Sequence, residues 1–160
     1  MSDNRIDFRR LELRDLNAIE EIERASYKTP WSRSMFAGEL AKPSSLSLGA
    51  FDSDTGELLG YLIISRYVDA WHVMNVAVAP EHRRRKIATL LLEQLFEQTA
   101  GEGHRGYTLE VRVSNDVAIR LYERAGFKPR GIRRGYYTDN REDALIMWRD
   151  PNPARVPERS

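Results

Sequence analysis

The sequence predicts one mixed α/β domain of about seven strands and about four helices. Three observations predict it. Strand-length runs rich in valine, isoleucine and leucine recur along the whole chain. Amphipathic helical stretches fall between them, and one strand, WHVMNVAV, runs through a basic loop directly into a helix. At 160 residues the chain is long enough to bury a core of its own. Residues 1–150 are expected to form that domain, and the proline- and charge-rich residues 151–160 a flexible tail.

Residues 6–11 read as a short first strand. Leu13, Leu16, Ile19, Ile22 and Ala25 then recur at helical spacing, which predicts an amphipathic helix with these side chains inward. TPWS interrupts it, and Ser32 is suited to cap a second helix, SRSMFAGELAK, which Pro43 ends. Residues 46–51 and 58–68 read as two strands joined through DSDTGE as a hairpin. Residues 71–78 form the next strand, stopped by Ala79 and Pro80 and followed by the loop EHRRRK. In IATLLLEQLFEQTA, Ile87, Leu90, Leu91, Leu95 and Phe96 make a broad apolar stripe, and Gly101 and Gly103 are placed to end the helix. YTLEVRV is a strand, NDVAIRLYERAG a helix ending at Gly126, and residues 128–136 and 142–148 the last two strands.

Charge and cysteine usage narrow the chemistry. The 25 basic and 24 acidic side chains leave a net charge of +1, so no overall field draws the chain to nucleic acid or to an acidic membrane. With no cysteine there is no disulfide scaffold, thiolate zinc site or cysteine nucleophile, and catalysis must use oxygen or nitrogen groups. The start, MSDNRIDFRR, lacks the apolar centre of a signal peptide, and no segment approaches the roughly 20 apolar residues of a membrane span. A cytoplasmic location is the resulting expectation.

The basic loop lies at the N-terminus of a helix, where unpaired N–H groups and the helix dipole favour a phosphate; the alternative is a solvated charged surface. Glu110 alternates with Leu109 and Val111, which puts it on the opposite strand face with Thr108 and Arg112. Tyr122, two turns beyond Asn115, projects with it and Ala118 from one helix face, as a reacting phenol or as a core tyrosine. His72, His82 and His104 have no mutual spacing that suggests a metal site, and read as surface or packing residues.

PWS at 30–32, NVAVAPEHRRR at 75–85, LEVRVSNDVAIRLYERAGF at 109–127 and IRRGYYTDNREDALIM at 132–147 together resemble the GCN5-related N-acetyltransferase (GNAT) superfamily. Within it they are similar to the ribosomal-protein-alanine N-acetyltransferases, over roughly residues 6 to 149. The resemblance implies a GNAT fold, a mixed, mostly antiparallel central sheet with a V-shaped splay between the fourth and fifth strands, and acetyl-coenzyme A as co-substrate, with no metal. It implies that Val76, Ala77 and Val78 hold the pantetheine arm through their backbone and that Arg84, Arg85, Lys86, Ile87, Ala88 and Thr89 wrap the pyrophosphate. Asn115 would also contact the cofactor, Glu110 would be the general base and Tyr122 the general acid, with the Val78 N–H facing the developing oxyanion. The implied acceptor is the N-terminal alanine of a small-subunit ribosomal protein, with Trp31, Tyr136 and Tyr137 lining the peptide channel. For these three the other readings are a core cap for Trp31 and a turn anchor for the tyrosine pair.

One position departs from the family loop: Lys86 stands where the first glycine is usual, while Ala88 fits the second. A helical conformation at Lys86 is the expectation, since a side chain disfavours the positive φ that glycine permits. A relative that acetylates internal lysine or a small amine would share cofactor and fold, but Tyr136, Tyr137 and Glu142 argue against it. A non-catalytic acetyl-coenzyme A sensor or ribosome-binding module would instead grip RNA phosphates with the RRRK loop, in a salt-dependent manner. Glu110 and Tyr122 together favour the enzyme, with no direct nucleic-acid function; a partner protein is compatible with it.

Overall fold

The computed structural model describes residues 5–151, so the expected tail, beyond Pro151, lies outside the described residues. Strands β1 (Ile6–Arg10), β2 (Leu48–Asp52), β3 (Leu58–Tyr67), β4 (Ala70–Val78), β5 (Tyr107–Arg112), β6 (Lys128–Arg133) and β7 (Ala144–Arg149) form one sheet in the order β1-β2-β3-β4-β5-β7-β6. Every neighbouring pair is antiparallel except β4–β5. The helices are α1 (Leu16–Ser26), α2 (Arg33–Ala41), α3 (Ile87–Gln98) and α4 (Asp116–Arg124).

Two hydrophobic clusters fill the space on either side of the sheet. Ile87, Leu91, Leu92 and Leu95 of α3 and Tyr122 of α4 pack with Leu62, Ile64, Leu109, Val111 and Met147. Leu16, Ile19 and Ile22 of α1 and Phe36 of α2 pack with Tyr61, Ile63 and Ala77. Strand β3 contributes to both, which is why its sequence reads as an almost unbroken apolar run rather than an alternating one. The half-sheet β5-β7-β6 is covered on its Leu109 and Met147 side, whereas Thr108, Glu110, Ile146 and Trp148 on the other side are only half-buried.

That half-open face meets a gap in the sheet. Strand β4 pairs with β5 only at Trp71↔Tyr107 and His72↔Thr108. The β3–β4 register then shifts between Ile63↔Asn75 and Ile64↔Val73, leaving Met74 as an extra residue on β4. A bulge bends and twists its strand. Coming just after the last β5 pair, this one turns β4 away from β5 and opens the splay.

Several local expectations need correction. Residues 13–15 form a short 3-10 turn ahead of α1, which leaves Leu13 59% exposed, and Ala25 is exposed too. The buried position there is instead Glu23. Helix α3 ends at Gln98, before either glycine, where buried Thr99 bonds through its hydroxyl to the Leu95 carbonyl and to the Tyr107 hydroxyl of β5. Within α3 Leu92 is buried and Leu90 only half so. Strand β6 stops at Arg133, where the chain turns through Gly135 at φ 59°, short of the residue 136 end that the sequence predicts. The helix cap at Ser32 is present: its hydroxyl accepts the Met35 N–H at 3.2 Å.

Candidate active site

The alternation of β5 sends Tyr107, Leu109 and Val111 into the core and Thr108, Glu110 and Arg112 to the other face. Glu110 therefore stands at the mouth of the splay with its side chain only 11% exposed. His72 Nε2 donates to its Oε1 at 2.8 Å, and Arg133 Nε lies 3.5 Å from Oε2. The His72 hydrogen bond, joined by the charge of Arg133, outweighs the burial that opposes ionisation and holds the Glu110 carboxyl below the usual range. His72 is thus not the solitary surface or packing residue its sequence suggests. The parallel pairing of His72 with Thr108 puts it one strand away from Glu110.

Beyond His72 the backbone of β4 faces the gap. Ala79 N donates to Leu59 O, and antiparallel pairs alternate, so Ala77 turns its polar groups toward β3 while Val76 and Val78 turn theirs toward the splay. The Tyr27 hydroxyl donates to the Val76 carbonyl, and Arg83 Nε donates to the Val78 carbonyl at 3.1 Å. This arrangement can pair with an extended amide-bearing chain through Val76 and Val78, but the sheet itself uses Ala77.

The basic segment coils as a 3-10 turn over Pro80–Arg85, and α3 starts at Ile87. Lys86 between them is left-handed at φ 58°, ψ 33°, not helical as expected. It takes the conformation a glycine would take at the junction between the turn and α3. The loop thereby presents the start of α3, with Ala88 and Thr89 half-buried in its first turn, to an anion. Arg85 Nη1 contacts His82 Nδ1 at 3.2 Å, and the Arg84 side chain lies outside the described residues. Beside this turn Glu57, Glu81 and His82 each bring one ligand atom within 4.8 Å of the others.

Tyr122 on α4 is buried against Phe127, ring centroids 5.7 Å apart. Burial, with the nearby phenols of Tyr27 and Tyr137, raises its pKa, so it stays a proton-bearing donor. Tyr27 and Tyr137 are each pushed up to about 12, chiefly by burial. Asn115 stands just before α4 rather than inside it. It is the N-cap of α4, its side-chain oxygen accepting Ala118 N–H at 3.1 Å.

Trp31 packs on Phe36 with ring centroids 5.1 Å apart, which matches the core-capping reading, and its backbone N–H donates to Glu23 Oε2 at 2.9 Å. Glu23 Oε1 accepts from the Tyr61 hydroxyl and from Asn75 Nδ2, the latter at 3.0 Å. One buried carboxylate thus fixes the PWS segment to β3 and β4. Tyr136 and Tyr137 lie in the β6–β7 connection, edge to face at 5.0 Å.

The structure therefore brings Glu110, Tyr122, Tyr137 and the β4 edge to one place, and adds His72, which the sequence reads as a surface or packing residue, with Arg133, Tyr27 and Glu23, which it does not single out. Only the apolar spacing around Glu23, four residues beyond Ile19, hints at a buried carboxylate.

A sequence model of the acetyltransferase (GNAT) family matches residues 16–127. The putative [ribosomal protein bS18]-alanine N-acetyltransferase of Bacillus subtilis (strain 168) is 39% identical over 140 residues, covering 88% of this chain and 92% of that protein. The crystal structure of the ribosomal-protein-S18-alanine N-acetyltransferase from Escherichia coli shares the fold with a TM-score of 0.84 at 34% identity, covering 98% of this chain and 99% of that one. Arabidopsis thaliana NAA60, solved in complex with acetyl-CoA, has the same fold at 23% identity, with a TM-score of 0.82 and coverage of 91% and 99%.

Proposed function

The chain belongs to the acetyltransferase (GNAT) family, and from that premise we propose that it acetylates the N-terminal alanine of a small-subunit ribosomal protein of the bS18 type. Acetyl-coenzyme A is the donor. The observation that carries the reading is an ionised carboxylate, Glu110, standing at the mouth of a gap between two parallel strands. Similarity to bS18-alanine N-acetyltransferases across most of the chain supports the choice of acceptor.

When bound, acetyl-coenzyme A supplies an acetyl thioester. The outward polar groups of Val76 and Val78 suit the amides of its pantetheine arm, and the start of α3, with Lys86, Ile87, Ala88 and Thr89, suits its pyrophosphate. Arg85 adds positive charge beside that turn, and Arg84, whose side chain lies outside the described residues, is the other arginine the family loop assigns to the pyrophosphate. The capping of α4 by Asn115 leaves that residue a positioning part in cofactor contact.

An acceptor α-amino group has an unperturbed pKa of about 7.7–8.0, so only a weak base is needed to free it. Glu110 accepts this proton directly or through one water, and His72 holds the carboxylate toward the acceptor. Tyr122 donates a hydrogen bond to the departing thiolate. Its raised pKa favours that donation over complete proton transfer to a thiolate whose parent thiol resembles cysteine, near 8.5. The Val78 N–H serves as oxyanion donor. Tyr136 and Tyr137 border the acceptor channel, and Trp31, capping the core on Phe36, anchors the PWS segment beside it. A ribosomal-protein acceptor places the reaction in the cytoplasm; no helix among the described residues is long and apolar enough to cross a membrane.

The test is mass spectrometry of an alanine-first peptide incubated with acetyl-coenzyme A and either the unaltered protein or Glu110→Gln. An added acetyl group on the α-amine with the unaltered protein, and slower addition with the variant, is the expected result; no addition contradicts the proposal.

A further inference from the structure

Arg112 stands two residues beyond Glu110 on the same face of β5, about 7 Å along the strand. Its guanidinium gathers the β6–β7 connection. Nη2 donates to Asp139 Oδ1 and Oδ2 at 3.0 and 2.9 Å, and Nη1 donates to Asn140 Oδ1 at 3.1 Å and Glu142 Oε1 at 3.2 Å. Its central carbon lies 4.0 Å from the Tyr137 ring centroid. The groups it holds are themselves tied inward. Glu142 Oε2 accepts the Ser114 N–H at 2.8 Å, and Asn140 Oδ1 also accepts the Glu142 N–H at 3.0 Å. Asp139 Oδ2 further accepts the Thr29 hydroxyl at 3.5 Å, from the α1–α2 connection on the other side of the splay.

A salt bridge half exposed to water contributes little to stability. This guanidinium does something different: it fixes in one geometry the aromatic wall that faces Glu110, using a fork of donors and a flat surface that lysine lacks. We propose that Arg112 is a positioning residue for the acceptor, holding the Tyr137 wall of the channel and, through Asp139, linking it to the Thr29 wall. The proposal rests on the N-terminal acetyltransfer reading. It assigns to Arg112 no contact with the reacting atoms and no part in binding the donor.

The experiment compares unaltered protein, Arg112→Gln, Arg112→Lys and Asp139→Asn, measuring KM for an alanine-first peptide and for acetyl-coenzyme A, with hydrogen exchange across residues 134–143. Arg112→Gln should raise the peptide KM about tenfold, the effect of losing one charge-assisted hydrogen bond net, and leave the acetyl-coenzyme A KM within about twofold. Arg112→Lys should fall between the two, since it keeps the charge and loses the fork. Asp139→Asn should move the peptide KM the same way by a smaller factor. The amides of Tyr137 and Arg141, bonded to Glu142 and Tyr137 carbonyls, should exchange faster in Arg112→Gln while those of β3 do not change.

An unchanged peptide KM in Arg112→Gln, or a rise in both KM values together, overturns the proposal, the second because general damage to the fold would produce it. Unaltered protein that acetylates no free N-terminus contradicts the acceptor reading itself and is told apart by the absence of any peptide turnover.

Discussion

At the scale of residues, the account turns on Glu110. Replacing it with glutamine should lower turnover by about 10²–10⁴-fold, the usual contribution of a positioned proton acceptor, and leave acetyl-coenzyme A affinity nearly unchanged by calorimetry. Because His72 and Arg133 keep the carboxyl ionised, the acid limb of kcat/KM should follow the acceptor amine rather than Glu110. The same depressed pKa has a linkage consequence. Glu110 contributes stability that is fully present above its unfolded value, about 4.3, and lost as pH falls through its lower folded value. Denaturant unfolding should thus separate the unaltered protein from Glu110→Gln at pH 7 and bring them together in strong acid. Lys86→Gly relieves a left-handed side chain worth roughly 1–2 kcal/mol, offset in part by the freer unfolded chain. A small gain in melting temperature is expected; weaker acetyl-coenzyme A binding in the same variant would show that the ammonium also contributes. Glu110 was readable because it alternates with two strand apolar residues. His72 was not, because its partner lies 38 residues away across a parallel pairing that no local spacing encodes. Glu23 was hidden likewise, its hydrogen-bond partners Tyr61 and Asn75 coming from strands far along the chain.

At the scale of elements, the helices were legible from apolar spacing and caps, and their ends less so. Ser32→Ala should destabilise α2 by about 1 kcal/mol, readable in thermal unfolding. Asn115→Ala should cost a similar amount through α4; loss of acetyl-coenzyme A affinity beyond that would mark a direct contact. The splay depends on how β5 begins. Gly106 has φ 136°, and a Cβ there would sit 2.4 Å from the Arg149 carbonyl, one residue before the first β4–β5 pair. Gly106→Ala should therefore destabilise by more than about 2 kcal/mol, seen as a lower denaturant midpoint. The end of α3 at Thr99 and the turn after Arg133 escaped sequence reading for one reason. Each is set by a contact with a later segment, Thr99 with Tyr107 and the Gly135 N–H with Asp143, rather than by a local breaker.

At the scale of the whole molecule, two helical layers cover the β1–β4 half of the sheet and only one covers β5-β7-β6, so the open face and the sheet gap coincide at Glu110. The mostly antiparallel sheet and the splay between the fourth and fifth strands follow from the family pattern, whereas the strand order, the parallel β4–β5 pair and the bulge at Met74 that opens the gap are visible only in the structure. Acetyl-coenzyme A bound there at 100 times its Kd should stabilise the protein by about 2.7 kcal/mol, measurable as a concentration-dependent rise in melting temperature. The most direct test is acetyl transfer to alanine-first peptides with a free N-terminus, set against the same peptides blocked at the N-terminus but carrying lysine. Acetylation of the free N-termini alone is the predicted result, and transfer to the blocked, lysine-bearing peptides, or to neither set, would contradict it.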